Sequence, residues 1–386
     1  MRNKSVYEPF KAYVMDLSYF SGKMEAMLRY KEVPFERIEA GSNELLHPIY
    51  THTGLMKVPV VECANGEWLK DTTPMLYWFD QQYPAQSIIP QDPVSHFICR
   101  LVEDYADEWL WRPALYYRWN FAQDRRLLGD RIAREVLSGW PFPGITGWYF
   151  AQRQKAVNIK GDGVRPHNEE HVVDTYLNNL NNLELILQTT PYLTGSHPSL
   201  VDFGYFASMF RHFGLDPTPA RIMRKQAPAV YEWLARLWNA KVSRMPQEQK
   251  IGDFSHSGWD WVLGDIVQTY LPYLADNALA WQESRKRFDF ELPHVRYPQL
   301  PVSQYRTWCR GELQRAYAAL TDSERQQVKT RFGSVDLDSL LQIHGIVTSG
   351  LEDEFALPLK RTPKRAKGWK RIKLSLTGTP QDMPDD

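Results

Sequence analysis

The sequence predicts an α/β plus all-α protein: a mixed N-terminal domain, a helical domain after it, and a further helical extension. Three observations predict this. Within the first 84 residues, short strand-like and helical runs follow in the order β-α-β-β-β-α. From residue 94 the pattern changes to long helical stretches, and after a break at residues 245–258 helical spacing resumes. At 386 residues the chain suggests two or three domains.

Residues 11–17 (KAYVMDL) read as the first strand. Met24, Met27, Leu28 and Val33 then recur at near-helical spacing across a segment free of Gly and Pro, and Pro34 ends that helix. Residues 35–40 form a second strand, residues 58–62 (VPVVE) a third, and Asn65-Gly66 a tight turn into a fourth at 67–70. Asp71 or Thr72 caps the next helix, which runs through Met75, Leu76, Trp78 and Phe79 and stops before Tyr83-Pro84. This order over residues 1–84 is that of a thioredoxin-like domain.

Residues 94–245 form the all-helical domain. It has a Trp- and Tyr-dense helix at 95–121 and another at 171–187, with Val172, Val173, Tyr176, Leu180, Leu183 and Leu187 on one side. Gly and Pro return at 138–166, which reads as an irregular insertion. Residues 258–350 make the helical extension, helical at 259–286 and 303–345. Residues 357–386 form a tail, first basic (KRTPKRAKGWKR) and then acidic (QDMPDD), expected to be flexible.

Lys+Arg and Asp+Glu are both 46, so no global field steers the chain toward nucleic acid or membrane, and neither is expected as a partner. Three cysteines, at 63, 99 and 309, form neither a disulfide framework nor a metal-ligand pattern. His167 and His171 stand at i, i+4 but lack the H-E-x-x-H order and an evident third ligand; they read as a polar helix start, and no metal is expected. The first ten residues are charged and make no signal peptide, and no apolar run reaches the roughly 18 residues of a span. A soluble, reduced, cytoplasmic protein is expected.

Three constellations carry chemistry. Ser18 and Ser21 lie at a helix N-terminus, where free N–H groups and the helix dipole favour an anion such as a docked thiolate. Alone, they read as helix caps. Pro59 opens a strand, a position that suits a cis bond and would turn the Val58 backbone toward a peptide-like ligand. Asp71-Thr72 starts a helix whose N–H groups and hydroxyl suit a carboxylate, while the Asp suits an ammonium.

In this order and spacing the sequence resembles the cytosolic glutathione transferases over residues 11–240. Ser18 lies sixteen residues before the Pro of VPFE (33–36), as in the serine- and cysteine-type classes. Residues 57–61 match the family's K/Q-V-P-x-L element, Asp71-Thr72 its E/D-S/T dipeptide, and residues 190–203 (TPYLTGSHPSLVDF) its G-x-x-x-S-x-x-D signature. That signature is a capping box in which Ser199 caps and Asp202 reaches back.

The resemblance implies that Ser18, Ser21, Val58, Pro59, Asp71 and Thr72 bind glutathione as co-substrate. It also implies that Ser18 is catalytic, activating the thiol for addition to an electrophilic, apolar small molecule, in a homodimer. An acceptor pocket would lie between the domains, with Trp109, Arg112 and Tyr116 as its candidates among Trp111, Tyr117, Arg118 and Trp119. Tyr19 stands where many serine-type members have Pro. Val14 holds the tyrosine-type position, which excludes a tyrosine mechanism. The extension beyond 250 is absent from typical members. The alternative is a non-catalytic binding or scaffolding protein on the same fold.

Overall fold

The computed structural model describes residues 6–137, 142–333, 335–341 and 345–360. The N-terminal domain opens with β1 (Phe10–Val14), α1 (Tyr19–Tyr30) and β2 (Phe35–Glu39), with β1 and β2 parallel. A helical connection follows, α2 (Ser42–Glu44), a π turn (Leu45–Ile49) and α3 (Tyr50–Thr53). It escapes sequence reading because its pieces are short and Pro48 interrupts them. β3 (Val60–Glu62), β4 (Trp68–Lys70) and α4 (Thr72–Gln82) complete a sheet of order β2-β1-β3-β4, in which β3 is antiparallel to both neighbours. Alternation along β1 sends Phe10, Ala12 and Val14 into the main core and Tyr13 to the opposite face, where it stacks on Trp68.

The helical domain runs through α5 (Pro93–Glu108), α6 (Trp111–Asn120), α7 (Ala122–Glu135), α8 (Pro143–Lys155), α9 (Glu169–Leu187), α10 (Leu200–Ser208), α11 (Pro217–Gln226) and α12 (Pro228–Trp238). The capping box forms as read: Asp202 accepts from the Ser199 N–H, and also from Leu193 N–H and Trp233 Nε1. The irregular insertion expected at 138–166 is mostly helix. Pro143 sits in the first turn of α8, where a missing N–H is harmless, and Gly147 is used for packing on α7.

The extension comprises α13 (Gly258–Asp265), α14 (Leu271–Gln282), a hairpin of β5 (Arg287–Leu292) and β6 (Val295–Pro301), α15 (Gln304–Ala318), α16 (Asp322–Arg331) and α17 (Leu337–Leu341). The hairpin was absent from the purely helical expectation. Its alternation, with Phe288 and Phe290 inward, is the signal that could have found it. The extension shares one hydrophobic core with the rest of the chain, and α15 and α16 pack on α5.

Charges are buried along α5. Lys23 of α1 is fully buried between Glu103 and Asp107. On the side facing the extension, Tyr270 donates to Asp104 at 2.5 Å and Arg306 pairs with Glu108 at 3.1 Å. Past α17 the chain returns to the N-terminal sheet. Glu354 pairs with Lys70 at 3.1 Å, and the Leu359 N–H donates to the Trp68 carbonyl on the β4 edge at 2.9 Å. The rest of the tail, residues 361–386, lies outside the described residues.

Candidate functional site

Strand register gathers the three constellations. Tyr13 pairs with Val60 and Val60 with Lys70. Continuing these ladders brings Val58-Pro59 and Asp71-Thr72 to the end of the sheet where β1 turns into α1, and Ser18 stands at that turn.

Ser18 is half-buried and caps α1, its Oγ accepting the Ser21 N–H at 3.3 Å from an extended backbone. Its hydroxyl proton remains available to a ligand. Ser21 is fully buried, and its Oγ accepts the Met15 N–H at 3.1 Å, bracing the loop. The helical domain fixes this loop from the other side. Arg118 donates to the Leu17 carbonyl at 2.7 Å while held bidentate by Asp216 at 2.8 and 2.9 Å. Sequence reading left Arg118 ambiguous, because nothing local pairs it with Asp216. Tyr19 turns away from the ligand side: its hydroxyl donates to the Ala106 carbonyl at 2.7 Å, and burial pushes its pKa well up.

The Val58–Pro59 bond is cis. The Val58 backbone makes no hydrogen bond among the described residues, and Val58 is half-buried.

The third constellation is more enclosed. Asp71 has a left-handed backbone (φ 68°), and Thr72 is buried as the first residue of α4. The Tyr305 phenol, from α15, lies beside the Asp71 carboxyl, whose Oδ1 is buried without a partner. Burial pushes this carboxyl's pKa up, against the opposing pull of Tyr305 and Lys23. Beyond Tyr305, the Trp308 and Phe355 rings pack at 4.4 Å, tilted by 51°, and Lys70 lies 5.5 Å from the Phe355 ring. The gap left beside Thr73, Glu103 and Tyr305 is about 20 Å³, room for a single water.

The acceptor candidates Trp109, Arg112 and Tyr116 are buried among the described residues. Trp109 is 2% exposed, among Tyr270, Tyr273, Phe290 and Tyr297 of the extension. Arg112 pairs with Asp162 at 2.9 Å and lies over the Trp109 and Tyr297 rings at 4.6 and 4.7 Å. Tyr116 is buried against Tyr117 and Phe121. The extension's aromatics thus take up the space beside Trp109 and Arg112. Phe20, two residues from Ser18, stacks on Trp111 at 6.1 Å, and both rings are half-buried. Sequence reading missed Phe20 because its helix position alone gives it no partner.

His167 and His171 face the hairpin, meeting the Arg296 carbonyl at 3.1 Å and the Tyr297 hydroxyl at 2.7 Å. All three cysteines are buried, and burial pushes their thiols up, Cys63 to about 12. None is suited to act as a thiolate.

Residues 13–87 match the family model described as Glutathione S-transferase, N-terminal domain. The resemblance read from the sequence stands on this match: the chain has a glutathione S-transferase-type, thioredoxin-like N-terminal domain, followed by helices. No curated protein matches. Similar solved structures include a glutathione S-transferase from Rhodospirillum rubrum F11, 15% identical, covering 59% of this chain and 87% of that one, with a TM-score of 0.41. The β-etherase LigF from Sphingobium sp. strain SYK-6 is 18% identical, covering 59% and 94%, with a TM-score of 0.40. FzlA from C. crescentus is 17% identical, covering 66% and 92%, with a TM-score of 0.39. At such distances these likenesses say nothing of chemistry.

Proposed function

We propose that this chain binds glutathione along the sheet end carrying Ser18, Val58-Pro59 and Asp71-Thr72, and adds its thiolate to an electrophilic, apolar small molecule. The observation that supports this most is the Val58 backbone, unpaired among the described residues at the same sheet end as a half-buried serine on a helix N-terminus.

In this reading Val58 pairs with the cysteinyl backbone and Asp71-Thr72 holds the γ-glutamyl head. The thiol is thereby delivered to Ser18. The Ser18 hydroxyl donates to the sulfur, and the free N–H groups of α1 favour its anionic form. Lowering a thiol pKa of about 8.5 by one unit is worth about 1.4 kcal/mol of thiolate preference. Holding thiolate and electrophile together supplies the remaining acceleration. The stacked Phe20–Trp111 pair offers the nearest apolar surface to the electrophile. A cytoplasmic homodimer belongs to the same reading, and the mass in solution checks the dimer.

Ser18→Ala tests the assignment. Turnover of a generic electrophile at neutral pH should fall at least tenfold with glutathione affinity nearly unchanged, and turnover equal to the parent's would sink it. One observation favours a second reading, a non-catalytic binding or scaffolding protein: Tyr305 covers Asp71. A thermal-shift titration with glutathione separates the two. Stabilisation without turnover favours a binding module, and no stabilisation favours a scaffold.

A further inference from the structure

Helix α8 is built inside out. Its face toward α7 is made of small residues: a Cβ added to Gly147 would sit 2.5 Å from the Gly129 carbonyl oxygen and 3.2 Å from the Ala133 Cβ. The two backbones are therefore nearly in contact. The bulky residues point away. Phe142, Ile145, Trp148 and Tyr149 are 74%, 68%, 63% and 63% exposed, four of the five most exposed large hydrophobics among the described residues. Ile145, Trp148 and Tyr149 follow i, i+3, i+4 spacing, so they form one apolar ridge along α8.

The ridge is flanked by positive charge. Residues 122–160 contain seven Lys and Arg against three Asp and Glu, although the whole chain is balanced. Arg125, Arg126 and Trp148 line one open cleft of about 190 Å³ between α7 and α8. Farther along, burial and then the neighbouring Arg125 and Lys160 lower the Lys155 pKa, so these cations crowd together.

We infer that the α7–α8 hairpin docks on an anionic lipid bilayer, the Phe142–Tyr149 ridge entering the interface while Arg125 and Arg126 meet the headgroups. Aromatics with flanking Lys and Arg are the chemistry of interfacial attachment, which needs no span. No helix among the described residues is long and apolar enough to cross a membrane.

The test is co-sedimentation of the full chain with vesicles of phosphatidylcholine alone and of phosphatidylcholine with phosphatidylserine. The chain should pellet with the anionic vesicles and be released by salt. Trp148→Ser with Tyr149→Ser should lower the bound fraction about tenfold, and Arg126→Glu should lower it severalfold, with melting temperatures unchanged. Equal pelleting on neutral vesicles, no pelleting, or binding untouched by these variants would overturn the inference. So would a change of solution mass in the Trp148/Tyr149 variant, which would assign the ridge to a second copy.

Discussion

The thiol end and the head-group end of the candidate site are built by opposite means. At the thiol end, Ser18 is held by near neighbours, Met15 and Ser21, and is braced from behind by Arg118, with its outer side open. At the head-group end, Asp71 is closed over by Tyr305, a residue from the far extension. The same extension buries charge along α5, so one end of the site is coupled to global stability more tightly than the other. Local turns can offer chemistry cheaply; a long-range cover makes access to that chemistry depend on how the rest of the chain packs.

Variants break or sharpen this contrast. The largest effect is expected at Lys23, which carries Glu103 and Asp107 beneath the head-group end. Lys23→Met strands two buried carboxyls, so urea unfolding at neutral pH should show a loss of about 3–5 kcal/mol. Next comes Asp104, whose carboxyl is pushed up to about 7, chiefly by burial and against the Tyr270 hydrogen bond. Because the native state keeps a proton that the unfolded chain releases near pH 4, stability is fully present below that pH. It is lost as pH rises toward 7. Asp104→Asn should flatten this slope, gaining roughly 2–4 kcal/mol over the parent at pH 8 and almost nothing at pH 4.

At the thiol end, Arg118→Lys loses the two-pronged grip on Asp216 and slackens the Leu17 carbonyl. A stability loss of about 1.5–3 kcal/mol should accompany a fall in kcat greater than any change in glutathione affinity. The smallest effect is expected at the cover. Tyr305→Phe removes the hydroxyl beside the Asp71 carboxyl, and glutathione affinity by calorimetry should rise about threefold, an effect of less than 1 kcal/mol. Unchanged affinity would make Asp71 a structural residue alone.

What the sequence made legible follows the same division. The four strands and the helices α1 and α4, the Ser199–Asp202 box and the Val58–Pro59 isomer all depend on residues a few positions apart, and each is found in the structure. The partners of Arg118, Arg112 and Asp71 lie 98, 50 and more than 200 residues away, and no periodicity encodes such meetings. For that reason Trp109 and Arg112 read as pocket walls, when Tyr273 and Tyr297 of the extension lie against them. Gly and Pro misled at α8 because Pro143 begins a helix and Gly147 packs one.

The clasp of the returning chain on β4 also sets a clock for synthesis. Glu354, which pairs with Lys70, lies 284 residues downstream, and the Trp68 carbonyl waits longer for Leu359. At about 5–20 residues per second, the ribosome leaves that strand edge uncovered for roughly a quarter of a minute to a minute. An unpaired edge is a template for a neighbouring chain. Nascent copies on one messenger are therefore most at risk of pairing with each other in that interval, and slower translation of residues 250–350 would lengthen it.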